Sequence, residues 1–201
     1  MSVRAAGVDD LDPVARIHKA RFSHVDYLLG QYSRSLVAAF YRMYLTSAVF
    51  LVHTDGRGEV DAFVLGGEAA ALSASKRQFV RAHALRIVWE TLLRPRLWGT
   101  AVRGAWAMLA PAAHQAEKKV GAPLAKNVRL LSIAVADEAE GTGAAAALVQ
   151  QFDDTLRRSC DGYELTVHKM NQRARRFYEK LGFFIVDETE QGYVFQKKFH
   201  D

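Results

Sequence analysis

The chain has 201 residues, half of them hydrophobic, and its 27 Lys and Arg against 22 Asp and Glu give a formal net charge of +5. This composition excludes a disordered or fibrous chain and predicts one globular domain over residues 1–201 with an adequate core. The single cysteine, Cys160, excludes an intrachain disulfide, and the sequence lacks a secretion signal or a long apolar run. A cytoplasmic protein is therefore expected.

The first third of the chain alternates short strands with helices. Asp12-Pro13 is typical of a helix that begins with an N-cap and a proline in its first turn. Asp55-Gly56-Arg57-Gly58 lies between two apolar runs and predicts a hairpin turn. The predicted elements are a strand over 3–5, helices from Asp12 and from Ser33 or Ser35, and strands over 49–53 and 60–65.

Residues 72–124 form a basic helical insertion. They hold nine Lys or Arg against two Glu, a charge of +7, and all three tryptophans. Amphipathic helices are predicted over 79–94 and 96–110. The first helix places apolar residues on one face and an i, i+4 row of charges on another: Leu85, Val88, Trp89, Leu92 and Leu93 against Arg86, Glu90 and Arg94.

Two roles of this insertion stay open. The pattern favours a helical hairpin that packs on a sheet and keeps its basic residues in solvent. The alternative is a docking surface for an anionic membrane, which would make the protein a peripheral one, for a lipid-linked acceptor or for an acyl carrier protein. Nucleic acid is not expected as a partner, because surface aromatic residues are not interleaved with the basic ones.

A glycine-rich turn follows the apolar strand predicted over 128–135. Gly141 and Gly143 let the backbone turn tightly and approach a ligand, and the helix after them presents unpaired amides and a positive dipole end. The segment is therefore typical either of a cradle for a pyrophosphate or of a turn that only connects a strand to a helix. The elements predicted after the turn are a helix over 143–159, a strand over 162–167, a helix over 171–181, and strands over 184–187 and 193–199.

The helix over 171–181 carries a second motif. Asn171 is typical of an N-cap and Gly182 of a C-cap. Between them an apolar row follows the three-to-four spacing of one helical face. This row consists of Ala174, Phe177, Tyr178 and Leu181.

At these two motifs the chain resembles the GNAT superfamily, the GCN5-related N-acetyltransferases. The family's acyl-CoA motif stands here as Glu140, Gly141, Thr142, Gly143, Ala144 and Ala145, and its later motif as Asn171, Ala174, Phe177, Tyr178, Gly182 and Phe183. The resemblance covers 127–199 well, 1–70 loosely and 72–124 not at all. It implies an α/β (α+β) fold with a central mixed sheet flanked by helices and a helical insertion between the third and fourth strands.

The resemblance also implies an enzyme that transfers an acetyl group from acetyl-CoA to a primary amine by direct attack in a ternary complex. Backbone groups of Ile133-Ala134-Val135 would hold the pantetheine arm and the thioester carbonyl, and amides from Glu140 to Ala145 would cradle the pyrophosphate. Asn171 would contact the cofactor arm, and Tyr178 would protonate the departing thiolate. No metal is expected, since the histidines lack ligand spacing.

Two positions depart from the family pattern. Glu140 replaces the usual Gln or Arg, and together with Asp137 and Glu138 it sets three carboxylates against a bound anion. Arg129 stands where histone-modifying members carry a glutamate base. Strict alternation would place Arg129 on the same strand face as Leu131 and Ile133, where it would suit an acceptor that bears a carboxylate or a phosphate; the alternative is an arginine that reaches water.

The attacking amine needs a base or a water relay. Glu68 ranks first among the candidates and His24 second, and the others are Asp26, Glu164 and His168. The acceptor is expected to be a small-molecule or lipid-linked amine. Two other functions remain open: an acyl transferase whose donor is acyl carrier protein, and a CoA-binding regulatory module without chemistry.

Overall fold

The computed structural model describes residues 2–23, 28–95, 98–99, 124–190 and 192–199. The strands are β1 (Ser2–Ala5), β2 (Val49–Thr54), β3 (Val60–Glu68), β4 (Val128–Val135), β5 (Gly162–His168), β6 (Phe184–Glu188) and β7 (Gly192–Lys198). The α-helices are α1 (Leu11–Arg21), α2 (Leu28–Gln31), α3 (Arg34–Arg42), α4 (Ala69–Leu92), α5 (Ala144–Leu156) and α6 (Gln172–Lys180).

All seven strands form one mixed sheet in the order β1-β2-β3-β4-β5-β7-β6. Every neighbouring pair is antiparallel except β4 and β5, which are parallel. Parallel neighbours need a crossover connection, and α5 supplies it. The predicted mixed sheet flanked by helices is confirmed, with α4 directly after β3.

Each face of the sheet carries its own core. On one face the apolar sides of α1 and α3 pack on β2 and β3; Val14, Val37, Tyr41 and Phe63 are fully buried there. On the other face α5 and α6 pack on the opposite side of β2, β3, β4, β5 and β7; Leu148, Phe152, Tyr163 and Phe195 are fully buried there. The two helical layers therefore fix the two sides from which ligands can approach the sheet.

A β-bulge interrupts β4 near its middle. Leu65 lies opposite Ser132 while Gly66 lies opposite Leu130, so Leu131 is an extra residue. An extra residue reverses the side-chain alternation beyond it. Leu130 packs in the α5 core, and so does Ile133, three positions later. The prediction that Arg129 and Ile133 share a strand face is therefore wrong.

The first two helices differ from those that the sequence predicts. A 3-10 turn (Val8–Asp10) precedes α1, and Asp10 rather than Asp12 stands at the N-cap position. The Asp10 carboxylate accepts from the amide of Gly7 at 2.7 Å and from the guanidinium of Arg4 at 2.6 Å. The α2 helix was not predicted, because four residues are too short to show a helical period.

The helix α4 starts ten residues before the predicted 79 and is kinked at His83. Its orientation also differs from the prediction. Glu90 is buried, whereas the residues of the predicted apolar face are exposed: Leu85, Val88, Trp89, Leu92 and Leu93. The physical reason is that Glu90 finds hydrogen-bond donors on the neighbouring helix layer, whereas the apolar face meets none of the described core. Apart from residues 98–99, the second predicted helix lies outside the described residues.

Candidate active site

The parallel strands β4 and β5 leave a gap in the sheet. Their ladder pairs at one position, Arg129 with Glu164. Beyond it, β4 keeps its pairing with β3 as far as Val135, but the described residues show no pairing with β5. Backbone groups along Ser132–Val135 therefore have an open side, and such groups need a partner when water is excluded. This gap contains the predicted thioester-binding residues Ile133, Ala134 and Val135.

The glycine turn lies at the end of β4, where the gap opens. Gly141 and Gly143 have φ angles of 79° and 90°, the left-handed region that favours glycine. A Cβ on either residue would meet no atom within 4 Å, so the space above both is open. Within the described residues the amides of Gly141, Gly143, Ala145 and Ala146 make no hydrogen bond. They can therefore donate to an anion.

The predicted excess of carboxylates at this turn is largely compensated. Arg21 of α1 pairs with both Asp137 and Glu140, and Arg173 of α6 donates to Glu140 at 2.7 Å. The hydrogen bonds from Arg173 and then Arg21 lower the pKa of the Glu140 carboxyl below its usual range. Glu140 stays ionised at neutral pH and holds two guanidinium groups beside the turn. Among the three carboxylates, only Glu138 shows no ion pair in the described part of the chain.

The α6 helix begins as predicted. The Asn171 side chain accepts a hydrogen bond from the amide of Ala174 at 3.0 Å and so caps the helix. The cap fixes the direction in which α6 leaves β5, and it places Arg173 beside Glu140. The contact of Asn171 with a cofactor arm stays a prediction.

Tyr178 lies on the buried side of α6. It is 5% exposed, and its ring packs against Phe183 and Phe177 with centroid distances of 5.2 Å each. It belongs to the same core as Ile133 and Val135 of the gap. Burial raises the pKa of Tyr178. The phenol therefore keeps its proton at neutral pH, and within the described residues its hydroxyl makes no hydrogen bond.

The two highest-ranked base candidates, Glu68 and His24, are not found at the gap among the described residues. Glu68 lies opposite Val128, five residues from Ile133 and so roughly 16 Å along the strand, which does not bring it to the gap. His24 and Asp26 lie outside the described residues.

The strand candidates lie nearer. Glu164 on β5 is buried and accepts from the Gln196 amide at 3.2 Å, and His168 is exposed at the end of β5. Arg129 is exposed and donates to the Asn127 side chain at 3.2 Å. The acceptor role of Arg129 stays a prediction.

A hydrogen-bonded row of side chains that was not predicted reaches the gap from the α1 side. The Tyr41 hydroxyl is 2.7 Å from Nδ1 of His18 and 3.2 Å from Oγ of Ser132. Burial, and less so the charge of Lys19, lowers the pKa of His18 to about 4. The three residues are 23 and 91 positions apart in the chain, so no local spacing could have indicated them.

The chain is similar to known proteins in sequence and in fold. The profile of the Acetyltransferase (GNAT) family matches residues 105–183. The 5-NmdU N-acetyltransferase of Pseudomonas phage PaMx11 is 37% identical over 75 residues, 37% of this chain and 50% of that protein. The chain thus spans half the length of this curated relative.

Solved structures are similar over nearly the whole chain. The crystal structure of SsHAT aligns with a TM-score of 0.67 at 24% identity, over 98% of this chain and 97% of that one. The PaiA N-acetyltransferase from Thermoplasma acidophilum, in complex with coenzyme A, aligns with a TM-score of 0.55 at 13% identity, over 98% of each chain. At these identities the likeness shows the shared fold.

Proposed function

We propose that the chain is a GNAT-type N-acetyltransferase that moves an acetyl group from acetyl-CoA to a primary amine, as its similarity to that family supports. The observation that carries this proposal is the open edge of β4 beside a left-handed glycine turn with four free amides. Those two features suit the two ends of one ligand. An extended amide-bearing arm can pair with the strand, and a pyrophosphate can accept from the amides.

The residues present fit coenzyme A. The space over Gly141 and Gly143 admits a phosphate close to the backbone, where a side chain would block it. Arg21 and Arg173 add positive charge beside the turn. When bound, acetyl-CoA would supply the activated acyl group as a thioester.

The proposed reaction is a direct transfer. The amine nitrogen forms a bond to the acyl carbon as the carbon–sulfur bond breaks, and β4 amides donate to the carbonyl oxygen as it gains charge. The Tyr178 hydroxyl gives its proton to the leaving thiolate and regains one from solvent. The proton lost by the amine passes to water.

Coenzyme A is favoured over acyl carrier protein as the donor. A carrier protein offers phosphopantetheine without the nucleotide pyrophosphate, and so has less use for a cluster of free amides. Glu140 and Asp137, which were expected to oppose a pyrophosphate, instead hold Arg21 and Arg173 at the turn. A regulatory module without chemistry is the other alternative; it would bind acetyl-CoA but release no thiol from it in the presence of an amine.

The acceptor is proposed to approach from the face covered by α1 and α3. Ser132 lies in the gap on that face. The hydrogen bonds from Ser132 to Tyr41 and from Tyr41 to His18 hold the Ser132 hydroxyl so that one of its lone pairs can accept from an amine. The relative named for 5-NmdU supports an amine as the group that is acetylated. Ser132→Ala should raise KM for the acceptor and leave acetyl-CoA affinity unchanged. An unchanged KM for the acceptor would show that Ser132 does not bind the acceptor.

The test of donor binding is thermal unfolding with acetyl-CoA. A ligand that binds only the native state stabilises it by mass action, so millimolar acetyl-CoA should raise Tm. Gly143→Ala should abolish the rise, because its Cβ occupies the space above the turn. The matched control is Gly58→Ala in the β2–β3 hairpin, which has a similar φ of 83° and equally open surroundings.

Both variants carry the same backbone strain, so a loss confined to Gly143→Ala assigns the site to the turn. If the Tm of the wild-type protein rises with acyl carrier protein but not with acetyl-CoA, the donor is acyl carrier protein and not acetyl-CoA.

A further inference from the structure

The α4 helix is attached to the fold by one narrow stripe. Its buried residues are Leu72, Ser75 and Phe79, at spacings of three and four, and Glu90, eleven residues beyond Phe79. Phe79 packs edge-on against Phe40 of α3 at 5.3 Å, and the Ser75 hydroxyl lies 2.8 Å from that of Ser47. The opposite side of a helix with such a stripe faces outward.

Glu90 fixes the rotation of the C-terminal half of α4. Its carboxylate accepts from the amide and hydroxyl of Ser33 at 2.7 and 2.5 Å, and from Arg86 and Arg94 at 3.1 and 3.2 Å. Burial alone would raise the pKa of Glu90, but these hydrogen bonds together lower it. Arg86 and Arg94 are therefore bound to the fold and are poorly placed to meet a partner.

This rotation turns the apolar side of the same half outward. Leu85 is 89% exposed, Trp89 63% and Leu93 63%. Large apolar residues scattered singly are normal on surfaces, but a contiguous patch is a mark of an interaction site. The apolar patch consists of Leu85, Val88, Trp89, Leu92, Leu93 and Trp98.

The N-terminal half of α4 presents cations on its exposed surface. Lys76, Arg77 and Arg81 are exposed and have no ion-pair partner in the described part of the chain. Arg77 and Arg81 line a shallow groove together with small or polar side chains, Ala74, Gln78 and Ala82. The sequence from 69 to 89 contains no Asp or Glu. The basic patch, Lys76, Arg77 and Arg81, is thus uncompensated.

We infer that the outer surface of α4 docks on an anionic lipid bilayer and lies along it. Trp and Leu side chains partition to the boundary between headgroups and acyl chains, while Lys and Arg contact headgroup phosphates. A nucleic acid would use the basic patch but leave six large apolar side chains unexplained. None of the described helices is long and apolar enough to cross a bilayer.

The inference does not depend on acetyl transfer. Its test is sedimentation with vesicles of phosphatidylcholine alone and of phosphatidylcholine mixed with phosphatidylglycerol, each across a salt series. Lys76→Gln/Arg77→Gln/Arg81→Gln removes the basic patch, and Leu85→Ser/Trp89→Ser removes the centre of the apolar patch. Arg16→Gln/Arg158→Gln/Lys180→Gln is the matched control, since it removes the same charge from exposed positions on other elements.

Wild type and control should bind only the anionic vesicles, and less so as salt screens the charges. Each cation near an anionic surface contributes about a factor of five, so the basic-patch variant should bind roughly 100-fold more weakly. The Leu85→Ser/Trp89→Ser variant should also lose binding. In all variants the Tm rise with acetyl-CoA should persist, which separates this inference from the proposed function.

Three results would overturn it. Wild-type protein that stays in the supernatant with every vesicle would mean that the surface meets no lipid. An equal loss in the control variant would assign the binding to net charge. Binding to duplex DNA or to an acidic protein, with vesicles ignored, would assign the surface to another class of partner.

Discussion

Tyr178 combines a buried ring with a pKa that burial raises, so its phenol is neutral at every pH at which the protein would work. A neutral phenol can donate a proton to a thiolate but cannot act as a base. Tyr178→Phe removes one hydroxyl and little volume, so fold and donor affinity should persist. General acid catalysis typically raises a rate by roughly 10²- to 10⁴-fold, so kcat should decrease by a factor in that range. Steady-state thiol release measures it; an unchanged kcat would leave Tyr178 as a core aromatic only.

His18 should make the stability of the protein depend on pH. Burial lowers its pKa from 6.5 to about 4, so the unfolded chain binds a proton at a higher pH than the folded one. The stabilising contribution is complete above pH 6.5 and is lost as the pH falls toward 4, by about 3 kcal/mol in all. Urea unfolding at a series of pH values measures the slope. His18→Leu should flatten the slope between pH 6.5 and 4, and an unchanged slope would contradict the buried neutral state.

The contrast between Tyr178 and His18 shows what the sequence could predict at this scale. Tyr178 follows Asn171 within one helix, and the resemblance of that local motif to the GNAT superfamily singled it out; the residue pattern alone indicated only a core aromatic. His18 and Ser132 are both hydrogen-bonded to Tyr41 because α1, α3 and β4 pack together, and no local pattern contains those contacts. The pairing of Glu140 with Arg21 was missed for the same reason.

Among the elements, β4 depends on a glycine in its neighbour. A Cβ on Gly66 would lie 2.6 Å from both the Arg129 carbonyl oxygen and Cζ of Phe152. Gly66→Ala should therefore force the bulge or the α5 core to shift, at a cost of about 1–3 kcal/mol. Gly67→Ala is the matched control, since its nearest contact would be an ordinary 3.5 Å to Ala48. Denaturant unfolding compares them, and equal stabilities would show that the bulge absorbs a methyl group.

The sequence predicted which helices and strands form, but it did not always predict which side of an element is buried. Strands, the α5 and α6 helices and the order of elements were predicted because each has a strong period or cap of its own. The bulge at Leu131 was not, since alternation assumes an uninterrupted ladder. For α4 the period was found but its buried side was assigned to the apolar face. Four hydrogen bonds to Glu90 instead hold the ionic row inward.

At the scale of the whole molecule, the turn at the gap is tied to both faces of the sheet. Arg21 extends from α1 and Arg173 from α6, and both guanidinium groups end on Glu140. These ion pairs are exposed enough to exchange partners at little cost, because surface ion pairs contribute only about 0–1 kcal/mol. A bound pyrophosphate can therefore recruit both arginines from Glu140. When no pyrophosphate is bound, the Glu140 carboxylate keeps both arginines at the turn.

This arrangement predicts how donor affinity divides between the two ends of the ligand. Arg173→Gln and Arg21→Gln should each weaken acetyl-CoA binding by roughly three- to tenfold, a modest loss because the sites are exposed. Neither should weaken binding of S-acetylpantetheine, which lacks the pyrophosphate. Arg175→Gln is the control on the same helix, since Arg175 pairs with Glu179 instead of the turn. Calorimetric titration measures all three; an equal loss for S-acetylpantetheine would mean that the arginines shape the gap and do not contact the phosphates.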